Sequence, residues 1–134
     1  TLSYASNRGA TARVLAPGIY GVSNHLLDTP WPKLTASKQR FAAALAALPD
    51  ESGFFALLAD TEIVPDEHLP ATGVPLPWER LLSAVFVRSP QYGTRASTLL
   101  LLPARGAATL IERSFSAAGE IGETRLKVSP VGCR

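Results

Sequence analysis

The stretch TRASTLLLLPARGAATLIERSF, residues 94–115, decides the fold class because it contains two strand patterns and a turn between them. Residues 94–102 end in an apolar run, and residues 107–115 alternate between two faces. Residues 103–106, PARG, form a four-residue loop that ends in glycine. Two strand patterns on either side of a short glycine-containing loop predict an antiparallel hairpin.

The rest of the chain adds helices in the middle and strands on both sides. A helix is expected from Ser37 to Leu48, capped by Thr35 or Ser37, and a second from Glu51 to Ala59. Pro30 and Pro32 exclude a helix from residues 26–33. Further extended segments are expected at residues 2–6, 13–15, 18–24, 82–87 and 121–128, and a short helix or strand at 78–82. The chain is therefore predicted to be α+β, with antiparallel sheets and covering helices.

Composition indicates one folded domain. The chain of 134 residues is 46% hydrophobic and 18% charged, which allows a real core and is unlike a disordered segment. No apolar run approaches the roughly 20 residues of a membrane helix, and no basic-then-apolar leader opens the chain. We expect no membrane span and a cytoplasmic protein. The single cysteine, Cys133, excludes an internal disulfide and a multi-cysteine metal site.

Two other classes of site lack their usual patterns. Lysine and arginine do not form a stripe with interleaved aromatic residues, so no nucleic-acid partner is expected. The only histidines, His25 and His68, each lie near acids but far apart in sequence, so solvated or capping roles are favoured and no metal site is predicted. There is no Gly-x-Ser-x-Gly elbow or phosphate-binding loop either.

Two polar positions stand out from the strand patterns. Arg95 lies among small hydroxyl residues at the start of an apolar strand, where it needs a partner. An ion pair with Asp28 or Glu112 and the binding of a ligand anion are both open. Asn24 either caps the next turn or directs its amide donors at a substrate carbonyl oxygen.

Residues 18–24, GIYGVSN, and 26–33, LLDTPWPK, closely resemble the central signature of the NRDE family, also called the transport and Golgi organisation protein 2 family. The resemblance covers about residues 4–115, in the family's order and at similar spacing. Further matching segments lie at residues 65–66, 69–70, 72–74, 79–80, 82–83, 86–87, 92–95, 97–98 and 112–115.

The resemblance implies that residues 1–134 are a single domain and the C-terminal part of a larger one. Family members are expected to begin with Met-Cys and to carry an Asn-Arg-Asp-Glu motif soon after, and this chain has neither. Residues 7–9, NRG, are not that motif. The implied fold is the αββα sandwich of N-terminal-nucleophile hydrolases, of which this chain is the second half. The upstream half of the same protein is its expected partner.

The resemblance also implies an activity. It points to a cysteine amidohydrolase of the N-terminal-nucleophile type that acts on a small acylated amine or amide, without a cofactor, and whose nucleophile lies upstream. Asn24 would contact the oxyanion, and Arg95 would order the nucleophile or bind an anion. The residues expected to contact the small-molecule substrate are Tyr20, Ser23, Trp31 and Thr94.

Three other interpretations stay open beside this one. Thr1 is a conceivable N-terminal nucleophile, although the resemblance places it inside the domain. Family members have been linked to haem trafficking and lipid homeostasis, so the chain is alternatively a haem- or lipid-binding protein, with His25 or His68 as the iron ligand. The last alternative is a non-catalytic interaction protein.

Overall fold

The computed structural model describes residues 1–9 and 11–129. It is an α+β structure with antiparallel sheets and helices, as the sequence predicts. Cys133 lies outside the described residues. In chain order the elements are β1 (Leu2–Tyr4), β2 (Arg13–Leu15), α1 (Pro32–Ala46), α2 (Ser52–Leu58), a 3-10 turn (Asp66–His68), α3 (Leu76–Ser83), β3 (Ala96–Leu101), β4 (Ala108–Ser116) and β5 (Gly119–Val128).

The predicted hairpin is the centre of a three-stranded antiparallel sheet in the order β3-β4-β5. Leu99 pairs with Ile111, and Ile111 pairs with Arg125 on the third strand. Because side chains alternate between the two faces of a strand, Leu99 and Ile111 share the inner face of the sheet. Ile111 is 0% exposed.

The core lies between this inner face and the first two helices. Apolar side chains repeat at helical spacing in α1, and the short α2 is rich in large apolar residues. The buried cluster consists of Ala44, Phe54, Phe55, Leu57, Leu99 and Ile111, with Phe41, Leu58 and Leu101 packed against it. The helices therefore cover one face of the sheet as a second layer.

Charged side chains on β4 and β5 connect the sheet to the start of α2. The guanidinium of Arg125 on β5 donates to both carboxylate oxygens of Glu51, at 3.2 and 2.7 Å. Arg113 on β4 donates to Glu123 at 2.9 Å and lies 4.0 Å from the ring centroid of Phe55. Two ion pairs and a cation–π contact therefore lie next to the apolar core.

The other face of the sheet is uncovered in the described residues and is partly apolar. Leu100 on β3 pairs with Leu110 on β4, which pairs with Leu126 on β5. Leu100 and Leu126 are each 53% exposed. The three leucines therefore form a cross-strand apolar row on the outer face.

The helix boundary of α1 corrects the sequence prediction. The helix begins at Pro32 rather than at Ser37, and its N-cap is Trp31, with no side-chain cap from Thr35 or Ser37. Proline is compatible with the first helical turn because backbone N–H groups there have no acceptor within the helix, so the N–H that proline lacks is not missed. Pro32 therefore starts the helix that it was expected to exclude.

Two strand predictions are wrong. Residues 18–24 form a loop, because the amide and the carbonyl of Gly21 both bond to Asp28 instead of to a neighbouring strand. Residues 82–87 are not a strand either: α3 continues to Ser83, and the amide of Phe86 donates to the Asp60 carbonyl at 2.7 Å. The predicted strands at residues 13–15 and 121–128 are confirmed within β2 and β5.

Among residues 1–9 and 11–129, no helix combines the length and the apolar character that crossing a membrane requires.

Truncation of the central sheet residue tests this description of the core. We expect Ile111→Ala to lower the free energy of unfolding by about 2–5 kcal/mol, since it removes methylene groups from a closed site. The control Ile121→Ala, at a position that is 66% exposed, should change it by only about 0.5 kcal/mol. Urea denaturation followed by circular dichroism measures both. Equal losses in the two variants would contradict the assignment of the core.

Candidate functional site

The signature segment folds into a loop that is closed by Gly21 and Asp28. The amide of Gly21 donates to Oδ1 of Asp28 at 2.9 Å, and the amide of Asp28 donates to the Gly21 carbonyl at 2.8 Å. Asp28 has a φ of 58°, a left-handed conformation that aspartate adopts more readily than most residues. Residues 22–27 thus form a closed loop with Asn24 and His25 exposed at its tip.

The same carboxylate ties this loop to α1. Lys38 donates to Oδ1 of Asp28 at 2.8 Å. The Lys38 hydrogen bond, followed by the one from the Gly21 amide, holds the pKa of Asp28 below its ordinary value of 3.8. The ionised carboxylate is therefore the form that stabilises the loop.

Gly21 is needed for space as well as for its backbone bonds. A Cβ at this position would lie 2.5 Å from Cδ1 and 2.9 Å from Cγ of Leu34 on α1. The loop therefore packs directly on the first turn of the helix.

A cavity of about 620 Å³ opens between this loop, the start of α1, the loop of residues 70–74 and α3. We call it the signature cavity. Its wall combines the indole of Trp31 with charged and amide groups. The polar side chains that line it include Arg8, Asn24, His25, Lys33, Thr72 and Glu79.

Lys33 contributes a half-buried ammonium group to this wall. Its Nζ donates to the Leu82 carbonyl at 2.6 Å, which links α1 to the end of α3. Burial lowers the pKa of Lys33 from its ordinary value of 10.5, because desolvation disfavours the charged form.

Glu79 is the buried acid of the cavity, at 9% exposure. Its Oε1 accepts from the Thr72 amide at 2.7 Å and from the Thr72 hydroxyl. Ser83, one turn further on, accepts from the Val64 amide at 3.0 Å and donates to the Arg80 carbonyl at 2.7 Å. These bonds fix the proline-rich connection against α3.

His25 is held at the mouth of the cavity. Its Nδ1 lies 2.8 Å from Oγ1 of Thr29, whose hydroxyl donates to the Leu26 carbonyl at 2.9 Å. Because the Thr29 hydroxyl uses its hydrogen on Leu26, its oxygen is the acceptor in the contact with His25, and Nδ1–H of His25 is the donor. The rings of His25 and Trp31 lie 5.9 Å apart between centroids. The aromatic rings of His25 and Trp31 therefore lie side by side in the wall of the cavity.

A second cavity, of about 460 Å³, lies at the start of β3, and we call it the hairpin cavity. The rings of Phe86 and Phe115 meet edge to face at 4.8 Å and form part of its wall. Thr94 also lines it, and its Oγ1 accepts from the Val87 amide at 3.0 Å. The charged residues that line this cavity are Arg88, Arg95 and Glu120.

The six site residues predicted from the sequence do not line one common cavity. Asn24 and Trp31 line the signature cavity, and Thr94 and Arg95 line the hairpin cavity. Ser23 lines neither of these two cavities. Tyr20 also lies outside both and donates its hydroxyl to the Ala16 carbonyl at 3.0 Å. Asn24 and Arg95 therefore line different cavities, and their individual roles stay predictions.

The ion pairs considered for Arg95 are also not formed. Asp28 pairs with Lys38, and Glu112 accepts from the Thr98 hydroxyl at 2.9 Å. Within residues 1–9 and 11–129, Arg95 forms no ion pair. Its side chain is exposed, so water solvates the charge that was expected to need a protein partner.

Sequence reasoning missed Lys33, Thr72 and Glu79 as cavity residues. All three lie in the segments that resemble the family signature, so the signal was present. Linear order did not show that residues 26–33, 72–74 and 79–80 meet around one space. No group of three or more metal-ligating side chains occurs in the described part of the chain.

This geometry defines a class of protein: an α+β fold in which the signature loops form a polar cavity large enough for a small-molecule ligand. The family model of Transport and Golgi organisation 2 matches residues 1–117, and the chain belongs to this family. The resemblance seen in the sequence is thereby confirmed.

Similar full proteins come from mammals. The Transport and Golgi organization protein 2 homolog of Bos taurus is 43% identical over 124 residues, covering 85% of this chain and 45% of that protein. The Homo sapiens homolog is 40% identical over 124 residues with the same coverage. This chain thus spans about half the length of the relatives that it matches.

The contact between Gly21 and Leu34 predicts a specific steric cost. Gly21→Ala should lower the free energy of unfolding by about 1–3 kcal/mol, because the added methyl overpacks the loop against α1. In Gly21→Ala/Leu34→Ala, the loss should be smaller than the sum of the two single losses. The matched control is Gly122→Ala, where a Cβ meets nothing within 4 Å. Additive losses in the double variant, measured by denaturation, would refute the contact.

The loop also predicts a pH dependence. Since the pKa of Asp28 is lowered in the folded protein, its stabilising contribution is complete above 3.8 and disappears as the pH falls through the lower folded value. Lys38→Met should raise the pKa of Asp28, measured from carboxyl carbon shifts by NMR. Arg40→Met, on the same helix but paired with Asp60, should leave it unchanged. An unaltered Asp28 pKa in Lys38→Met would contradict the ion pair.

Proposed function

We propose that this chain is the C-terminal part of an amide hydrolase of the N-terminal-nucleophile type, and that the signature cavity holds its substrate. The substrate class is a small acylated amine or amide, and the attacking cysteine comes from the upstream half of the protein. The observation that carries the proposal is the position of Asn24. Its exposed amide lines a cavity of about 620 Å³ on a loop that is closed at its base.

Asn24 has the chemistry and the support that an oxyanion contact needs. Its side-chain amide carries two N–H donors, and within the described residues it has no hydrogen-bond partner. The closure of the loop by Gly21 and Asp28 restricts the backbone that carries this exposed donor. A donor directed at the oxyanion stabilises the negative charge that develops in the transition state. Trp31 supplies an apolar wall for the acyl group.

Arg95 has a separate role in this proposal. Because it lines the hairpin cavity with Thr94, it does not share the oxyanion contact with Asn24. Its exposed guanidinium is instead placed to bind an anion or to order the upstream segment that carries the nucleophile.

The same proposal includes an αββα sandwich. The apolar row of Leu100, Leu110 and Leu126 lies on the sheet face opposite the helices, where a second sheet would pack. Two sheets pack face to face by burying such rows. The relatives are more than twice as long as the matched segment, which leaves enough chain for that second sheet.

A haem-binding protein is the second candidate, and the position of His25 favours it. The ring lines the signature cavity, and Thr29 binds its Nδ1, which leaves Nε2 as the nitrogen for iron. The polar wall of Arg8, Lys33 and Glu79 fits a haem less well than an apolar pocket would.

Turnover in the protein that carries this chain with its upstream half tests the hydrolase. Asn24→Ala should lower kcat for a small N-acyl amine by about 10²–10³-fold, the usual cost of losing an oxyanion donor. Gln39→Ala, at an exposed position on α1, should leave kcat unchanged. An upstream sequence without Met-Cys, or full turnover in Asn24→Ala, would contradict the proposal.

Titration with haem separates the second candidate from the first. If the chain binds haem through the signature cavity, a Soret band should appear and should be lost in His25→Ala but not in the control His68→Ala. His68 lies in the exposed 3-10 turn. A Soret band that both variants retain would exclude axial ligation by His25.

A further inference from the structure

Lys33 carries a positive charge in the wall of the signature cavity and has no carboxylate partner in the described residues. Its Nζ donates to the Leu82 carbonyl, and an ammonium group has three N–H donors. Within residues 1–9 and 11–129, Nζ has no second hydrogen bond and no ion pair. Two donors are therefore available to a ligand.

Neither Glu79 nor Asp28 forms an ion pair with Lys33. Glu79, which lines the same cavity, accepts the amide and the hydroxyl of Thr72 on one oxygen. Asp28, at the base of the preceding loop, pairs with Lys38. Lys33 also lies in the first turn of α1, where the positive end of the helix dipole opposes a cation.

This lack of a counter-ion has an energetic consequence. A partly desolvated charge costs free energy unless an opposite charge or further hydrogen bonds offset it. The lowered pKa of Lys33, which burial causes, agrees with an ammonium that has no carboxylate beside it. Arg8 lines the same cavity and adds a second cation to its wall.

We infer that Lys33, assisted by Arg8, binds a carboxylate group of the ligand, so that the signature cavity takes N-acylated amino acids rather than neutral amides. The carboxylate would accept the two remaining donors of Lys33, while the amide carbonyl would lie within the same cavity as Asn24. The substrate class rests on the proposed hydrolase function, whereas recognition of the anion does not. Lys33 is a binding residue in this inference, and no chemical step passes through it.

Two matched probes test the inference. N-acetylglycine carries the carboxylate, and N-acetylglycinamide is its neutral counterpart of similar size. In protein labelled at lysine, NMR should show that N-acetylglycine raises the pKa of Lys33, because a neighbouring anion favours the ammonium form. N-acetylglycinamide should not raise it, and the pKa of Lys38, on the same helix, should not respond to either probe.

Substitution supplies the second measurement. Lys33→Gln should weaken binding of N-acetylglycine by about tenfold or more, the usual range for a lost charge-assisted hydrogen bond. Affinity for N-acetylglycinamide should stay the same, and Lys33→Arg should retain binding of the carboxylate. Arg40→Gln is the control, since it removes a cation from the same helix that pairs with Asp60 and does not line the cavity. If Lys33→Gln does not fold, the pKa response of the unchanged protein decides.

The outcomes separate this inference from the proposed function. Equal affinity for both probes, with no response of Lys33, overturns it and leaves Lys33 as a structural link between α1 and α3. Binding of N-acetylglycine at Lys33 without any hydrolysis supports it while the hydrolase proposal fails. Hydrolysis of both probes at equal kcat/KM, unaffected by Lys33→Gln, refutes carboxylate recognition and leaves the hydrolase proposal standing.

Discussion

The carboxylate of Asp28 is the contact on which the candidate site depends. It accepts the Gly21 amide and the Lys38 ammonium on the same oxygen, so it both closes the signature loop and joins it to α1. Its left-handed φ turns the chain back toward the helix. Asn24 and His25 lie at the tip of this loop. Without the closure, neither side chain would have a defined position at the cavity, because the loop forms no strand pairing of its own.

The hydrophobic core and the cavity are built from different parts of the same helix. The C-terminal half of α1 packs with α2 on the sheet through Ala44 and its neighbours. The first turn, with Lys33 and Leu34, contacts the end of α3 and the signature loop instead. One rigid helix thus transmits the order of the core to the cavity wall. A side chain in that first turn is held more precisely than one on a loop.

Much of the fold was accessible from local patterns. The alternation in residues 107–115 and the loop of residues 103–106 predicted the β3–β4 hairpin, which follows from the two-residue period of strands. The start of α1 was misplaced because proline was interpreted as a helix breaker, although it is compatible with the first turn. Residues 82–87 were misassigned for another reason: an apolar run alone does not distinguish a strand from a helix end and a buried loop.

The sequence by itself determined the α+β class, the central hairpin and the family, because these depend on short-range periodicity and on contiguous signature residues. Only the tertiary structure decided which polar residues share a space. It placed Asn24 with Lys33 and Glu79, and it placed Arg95 in a different cavity. The physical reason is that a cavity forms where segments distant in the chain pack together. Hydrogen bonds such as Lys33 to Leu82 and Thr72 to Glu79 set that packing, and no local pattern encodes them.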